Sequence, residues 1–182
     1  VEITAQATER VKMVGQNKTD QVSGYFTKEL SALTDLASSS LVATALSEFT
    51  EAFQSYGQNS LSPEQLAKLE AFYGRTFQEK YSQLNPDQSF DVKAWLAGLD
   101  DLTKSAQYDF IASNDNPLGE KNNLLTAARQ VPYNIAHGKY HDELGGYVKR
   151  HGLYDVFLVS PDGRVVYTFF KEIDFNSYHL SF

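Results

Sequence analysis

Leu153-Tyr154-Asp155-Val156-Phe157-Leu158-Val159-Ser160-Pro161-Asp162-Gly163-Arg164-Val165-Val166-Tyr167-Thr168-Phe169-Phe170-Lys171 is where the chain changes its period. β-Branched and aromatic residues fill two blocks, 154–159 and 164–170, and Ser160-Pro161-Asp162-Gly163 joins them. Proline in second place and glycine in fourth suit a type I turn closed by a glycine bulge, so the stretch predicts a β-hairpin over 154–171. Val156 and Leu158 oppose Phe157 and Val159, while Val166 and Phe170 oppose Tyr167 and Phe169, so both faces are apolar. A two-stranded ribbon is not stable alone, and this one needs helices on one face and cover on the other.

Outward from the hairpin the pattern is helical. Pro132 opens a helix that carries Tyr133, Ile135, Tyr140, Leu144 and Val148, and a glycine just past basic residues, Arg150-His151-Gly152, ends it. In the first 55 or so residues apolar positions recur at steps of three and four: Val11, Val14, Val22, Phe26, Leu30 and Leu33, then Leu41, Ala45, Phe49 and Phe53. Ser38-Ser39-Ser40 predicts a cap and break between two helices. A first helix this long and this polar on its outer side is expected to lean on a partner. Ser62-Pro63-Glu64-Gln65 has the form of a capping box with proline at the first helical position, and that helix runs towards Asn85-Pro86. Another is predicted from Asp91 to about Ala112. Asn114-Asp115-Asn116-Pro117-Leu118-Gly119 is turn chemistry. The predicted class is α+β and predominantly helical: one domain over 1–182, with a long N-terminal helix and antiparallel helical bundle over 1–113, then a subregion over 114–182 holding helix 132–151 and hairpin 154–171.

Composition narrows the function. The 182 residues carry 23 acidic against 16 basic groups, a net charge of -7, with no basic stripe, so a nucleic-acid partner is not expected. There is no cysteine, which removes disulfides, thiolate metal sites and a cysteine nucleophile. No window reaches the ~18 consecutive apolar residues of a spanning helix. The sequence opens on Val1 rather than methionine, which reads as a processed product or a fragment. The motifs of α/β hydrolases, phosphate-binding loops and dinucleotide folds are missing, and Gly145-Gly146 within a helix reads as close packing; the expectation is a protein that is not an enzyme and needs no cofactor.

Two clusters remain as candidate ligand-binding residues. His137 and His141 stand four apart, the spacing of zinc ligands on a helix, but no glutamate follows His137 and no third ligand is indicated, so no metal is expected. Either one is at the surface and the other hydrogen-bonds a buried partner, or both line a pocket with Tyr133 and Tyr140. The second cluster is Tyr154, Asp155, Phe157, Tyr167, Phe169 and Lys171, aromatic walls with one acid and one base, as a small polar or zwitterionic ligand requires. The alternative is that Asp155 and Lys171 pair across the strands. Glu172 and Asp174 form a carboxylate pair beyond the strand in polar sequence, and the least poor form of an enzyme is a glycosidase-like pair of Asp155 with Glu172 or Asp174. Asp100-Asp101 reads as solvated surface.

The blocks Leu153-Tyr154-Asp155-Val156-Phe157-Leu158-Val159, Asp162-Gly163, Val165-Val166-Tyr167-Thr168 and Lys171-Glu172-x-Asp174-Phe175 resemble the hairpin of Cache-type, PAS-like periplasmic domains in methyl-accepting chemotaxis proteins and some membrane-bound nucleotide cyclases. Gln107-Tyr108-x-Phe110-Ile111-Ala112, Asn116-Pro117-Leu118-Gly119-Glu120-Lys121 and Tyr133-x-x-x-His137-x-x-Tyr140-His141 resemble the helical portion of the same group. The match runs from Lys104 to Phe175, and the helices before it are generic. The resemblance implies a periplasmic ligand-sensing domain of an inner-membrane receptor, a homodimer that binds a small organic molecule such as an amino acid, organic acid or amine. It places that ligand between the 133–141 helix and the hairpin, with Asp174 joining the site. It also implies further strands after Lys171-Glu172-x-Asp174-Phe175, whereas only seven residues follow Phe175 here. A truncated sheet, strands from a second copy and a reduced variant are the readings this leaves open.

Overall fold

The computed structural model describes residues 2–172 and Phe175. The chain is α+β and predominantly helical, in the order α1 (Glu2–Ala37), α2 (Ser40–Gln54), α3 (Pro63–Ala71), α4 (Gln78–Leu84), α5 (Val92–Gly98), α6 (Asp101–Gln107), α7 (Pro132–His151), β1 (Phe157–Val159) and β2 (Val165–Thr168). It divides into two compact units, Val1–Ala43 and Thr44–Phe182.

The first unit is α1 and the opening turn of α2. The break between them falls at Ser38-Ser39, where the serine run predicts it. Along the apolar stripe of α1, Val11, Val14, Val22, Phe26, Leu30 and Leu33 are all exposed.

In the second unit, each helix limit has a local cause. Ser62 accepts from the Gln65 N–H while Gln65 Oε1 accepts from the Ser62 N–H at 2.8 Å, the reciprocal pair its sequence predicts. Gly152 ends α7 in the left-handed region at φ 61°, where a side chain would be strained. Between α3 and α4 the helix is continuous but widens into a π turn over Phe72–Phe77, and a second π turn, Tyr108–Ala112, extends α6. Such an extra residue rotates the face that follows, and π turns are frequent at functional sites.

The helix expected from Asp91 to Ala112 is two helices. Leu99 is extended, and Asp100 caps α6 by accepting the Thr103 N–H at 2.7 Å. Asp100 is correspondingly not free surface: Arg164 Nη2 reaches its carboxylate at 2.5 Å, and Arg164 Nη1 donates to Thr103 Oγ1 at 3.0 Å. Although partial burial works to raise it, these hydrogen bonds hold Asp100 below the usual carboxylate range.

The hairpin forms with shorter strands than predicted. Phe157 pairs Thr168, Leu158 pairs Tyr167 and Val159 pairs Val165, with a bulge at Leu158/Val159. The Gly163 N–H donates to Ser160 O at 2.9 Å, and Gly163 has φ 86°, the conformation the turn needs. Every residue of β2 is buried, which meets the demand for cover on both faces. Tyr133 on α7 donates to Val166 O at 2.6 Å, and Phe49 on α2 lies 5.0 Å from the Tyr167 ring. Phe49, Phe53, Tyr56, Tyr133 and Tyr167 make one aromatic core, each contributing about 1.5–3 kcal/mol through burial.

Candidate functional site

The face of α7 that meets the hairpin is filled by side chains. Tyr133, His137, Tyr140, His141, Tyr167 and Phe169 are all buried, so both histidines are interior and neither is at the surface. The two imidazoles stack at 4.3 Å, and His141 stacks in turn on Phe169 at 5.2 Å. His137 Nδ1 donates to Leu125 O at 2.6 Å. His141 Nε2 donates to Asn122 O at 2.6 Å and its Nδ1 accepts from Tyr167 Oη at 2.9 Å, which is the neutral tautomer. Among the described residues no group of three or more histidine, cysteine or carboxylate side chains could hold a metal ion.

Burial, with Lys171 close by, holds both imidazoles uncharged: His137 well below its ordinary value and His141 down to about 3. In the unfolded chain each takes a proton near pH 6.5, so below that pH the unfolded state binds more protons and stability falls as pH falls. Asp109 and Asp155, raised by burial, act in the opposite sense only near the carboxylate range. As pH falls from about 6.5 to 5, the loss that each histidine contributes is therefore expected to steepen from about 0.7 towards about 1.4 kcal/mol per pH unit. Urea titrations of the protein and of His141→Gln check this: the variant should lose about half the slope, and an unchanged slope would mean that His141 charges within the fold.

The second cluster divides. Asp155 does not pair with Lys171 across the strands. Its carboxylate instead accepts backbone N–H groups of Val156 at 2.6 Å and Phe169 at 2.8 Å, so it fixes the exit of β2. Lys171 is 3% exposed with φ 61°, its N–H given to Thr168 Oγ1 at 3.1 Å and its ammonium to Thr168 O. Its Nζ lies 4.2 Å from the Tyr167 ring centroid, and burial pushes it well below the ordinary lysine value. Phe157, 41% exposed, and Tyr154, 73% exposed, are the accessible members. Tyr154 Oη donates to Glu172 at 2.7 Å. Asp174 lies outside the described residues.

An open cavity of ≈ 640 Å³ lies beside the residues that lead into and out of the hairpin, and none of the residues of that filled core lines it. One wall is the α3–α4 helix, with Phe72 and Phe77 from its π turn and Tyr81 beyond. A second is Ile111 from the other π turn with Leu118, Gly119 and Lys121 from the following loop. The third is the exit of the hairpin, with Leu153, Tyr154, Phe170, Lys171 and Glu172. This size and this mixture of aromatic walls with few polar groups fit a small-molecule site. Of the candidate ligand-binding residues read from the sequence, Tyr154 and Lys171 line this cavity, in other company than expected. Phe72, Phe77 and Tyr81 carry no motif that would single them out, and Lys121 stands out only as the last residue of the 116–121 block. The chain matches no family model, no curated protein and no solved structure.

Proposed function

We propose that this chain is the extracytoplasmic ligand-sensing domain of a membrane chemoreceptor of the methyl-accepting type, binding a small organic molecule in the cavity between the α3–α4 helix and the hairpin exit. One observation carries the reading. The separate sequence blocks that resemble periplasmic sensor domains converge on this cavity: Ile111 from the first, Leu118 and Lys121 from the second, Tyr154 and Lys171 from the hairpin. The Tyr133–His141 block is part of the buried core. Ligand occupancy would select between two packings of the hairpin against the helices, and the output would pass through a homodimer anchored in the inner membrane with this domain in the periplasm. A membrane-bound nucleotide cyclase would use the domain in the same way, with a different output.

A thermal-shift screen of amino acids, organic acids and amines tests it. A compound at 100 times its Kd stabilises the native state by about 2.7 kcal/mol, which for a chain of this size raises Tm by about 5–10 °C. Failure of every compound, together with a full-length receptor that ignores them, sinks direct sensing. The reading that then takes over is a helical docking or dimerisation module without a ligand of its own. It is favoured by the exposed apolar residues of α1 and by the packed state of Tyr167 and Phe169.

A further inference from the structure

The inner end of the cavity has an unusual charge. In a chain of net charge -7, the ionisable groups that line this cavity, tyrosines aside, are Lys80, Lys121 and Lys171 against Glu172 alone. Glu172 is exposed and occupied by Tyr154 Oη at 2.8 and 2.7 Å. Lys121 is 4% exposed, and among the described residues it makes no ion pair. Its ammonium donates to Asn114 O at 2.7 Å and lies 5.1 Å from the Phe72 ring centroid, on the cavity wall. An ammonium has three donors, and this one hydrogen bond leaves two for another acceptor. A buried cation without a counter-charge is costly, and an anionic ligand removes that cost. Burial pushes Lys121 below the ordinary lysine value and Lys68 adds to that push, while Asp115 favours the charged form, so the protein's own groups under-stabilise the ammonium.

The remaining walls define the rest of the ligand. Phe72, Phe77, Tyr81 and Phe170 put aromatic side chains on the lining, and Leu84 and Tyr154, which also line it, are exposed. We propose that the cavity binds an organic monocarboxylate with an apolar body of aromatic size, its carboxylate on Lys121, Lys80 at the rim, and its body against the aromatic wall of the α3–α4 helix. This rests on the reading of the cavity as the sensing site and names the class of ligand it takes. Of the two buried lysines on the lining, Lys171 gives its side-chain nitrogen to Thr168 O and Phe169 O, which leaves Lys121 to meet one negative charge, and the aromatic walls disfavour a small hydrophilic acid.

The test uses the intrinsic fluorescence of Trp95, the one tryptophan in the chain, whose ring lies 4.4 Å from that of Tyr73 on the cavity wall. Phenylacetate, its neutral analogue phenylacetamide, phenethylamine and octanoate are titrated against the native protein. Phenylacetate is expected to bind at least about tenfold more tightly than phenylacetamide, and phenethylamine not to bind. Lys121→Met should weaken phenylacetate at least about tenfold and leave phenylacetamide unchanged, with Lys121→Arg restoring most of the loss. The acid-to-amide comparison needs no variant, so it decides the matter even if Lys121→Met fails to fold. If the amide or the amine binds as well as the acid, the anionic class is overturned while the sensing reading stands. If neither acid binds at about 10 mM, the class is overturned, and the sensing reading then stands or falls on the broad thermal screen.

Discussion

Replacing Asp109 by alanine is expected to destabilise the protein by about 3–5 kcal/mol, a large share of the roughly 5–15 kcal/mol that holds an ordinary domain folded. Asp109 sits on the π turn that extends α6 and is 1% exposed. Its Oδ2 accepts from Tyr56 Oη at 3.1 Å and from Asn134 Nδ2 at 3.0 Å, and Arg129 Nη1 lies 3.6 Å from Oδ1. Tyr56 Oη also lies 2.9 Å from Asn134 Oδ1, and the Arg129 guanidinium packs over the Tyr56 ring at 5.6 Å. The carboxylate therefore ties α6 to the end of α2 and the start of α7. Burial pushes Asp109 above the usual carboxylate range, and the bonds from Asn134, Tyr56 and Arg129 oppose that push. Alanine would strand a largely buried guanidinium and two polar side chains at once, each without water to replace the lost partner. Asp109→Asn keeps an acceptor of the same shape and should lose about half as much. Urea unfolding with unchanged m values measures both; a loss below about 1 kcal/mol for the alanine would mean that water reaches the network.

The second large effect is a contrast between neighbours. A methyl group added at Gly145 would run into Phe169 Cε2, with Cδ2 and Cζ of the same ring both at 2.8 Å. Phe169 cannot step aside easily, because its ring is stacked on His141 and its N–H is held by Asp155 at 2.8 Å. At Gly146 the nearest atom is Arg150 Nη1 at 3.0 Å, the far end of a flexible side chain. Alanine gains about 1 kcal/mol of helix propensity at either site. At Gly145 overpacking outweighs that gain, and Gly145→Ala is expected to destabilise by about 2–3 kcal/mol. Gly146→Ala is expected to stabilise by up to about 1 kcal/mol. Thermal unfolding of the two variants side by side checks this; equal shifts would show that α7 and the hairpin slide apart at little cost.

Both sites mark the reach of local sequence pattern. The paired glycines within α7 signal close packing, but not which of the two touches an aromatic ring. Asp109 has no motif at all, since its partners come from positions 56, 129 and 134, and an isolated acid in a helical pattern looks like solvated surface. The same holds for Asp100, whose place as a cap and ion-pair partner depends on Arg164 arriving from the hairpin, 64 residues away. Tyr154 and Lys171 could be singled out because they flank a run of strand character. Phe72, Phe77 and Tyr81 could not, because helical periodicity assigns such a stripe to a core.

Short-range chemistry made much of the fold legible in the chain: the helical majority, the breaks at Ser38-Ser39, Ser62 and Gly152, the turn at 160–163, and a hairpin apolar on both faces. Caps, left-handed glycines and side-chain periods act within a few residues, so they are present before the chain folds. What covers the hairpin, and which of its flanking residues border a cavity, was settled by long-range packing alone. The physical reason is that both faces are apolar, so periodicity leaves them equivalent. Packing breaks the tie: Tyr133, His137, His141 and Phe49 meet Val166 and Tyr167 of β2, while the π turns at 72–77 and 108–112 bring Phe72, Phe77 and Ile111 to the cavity beside the residues that flank the hairpin.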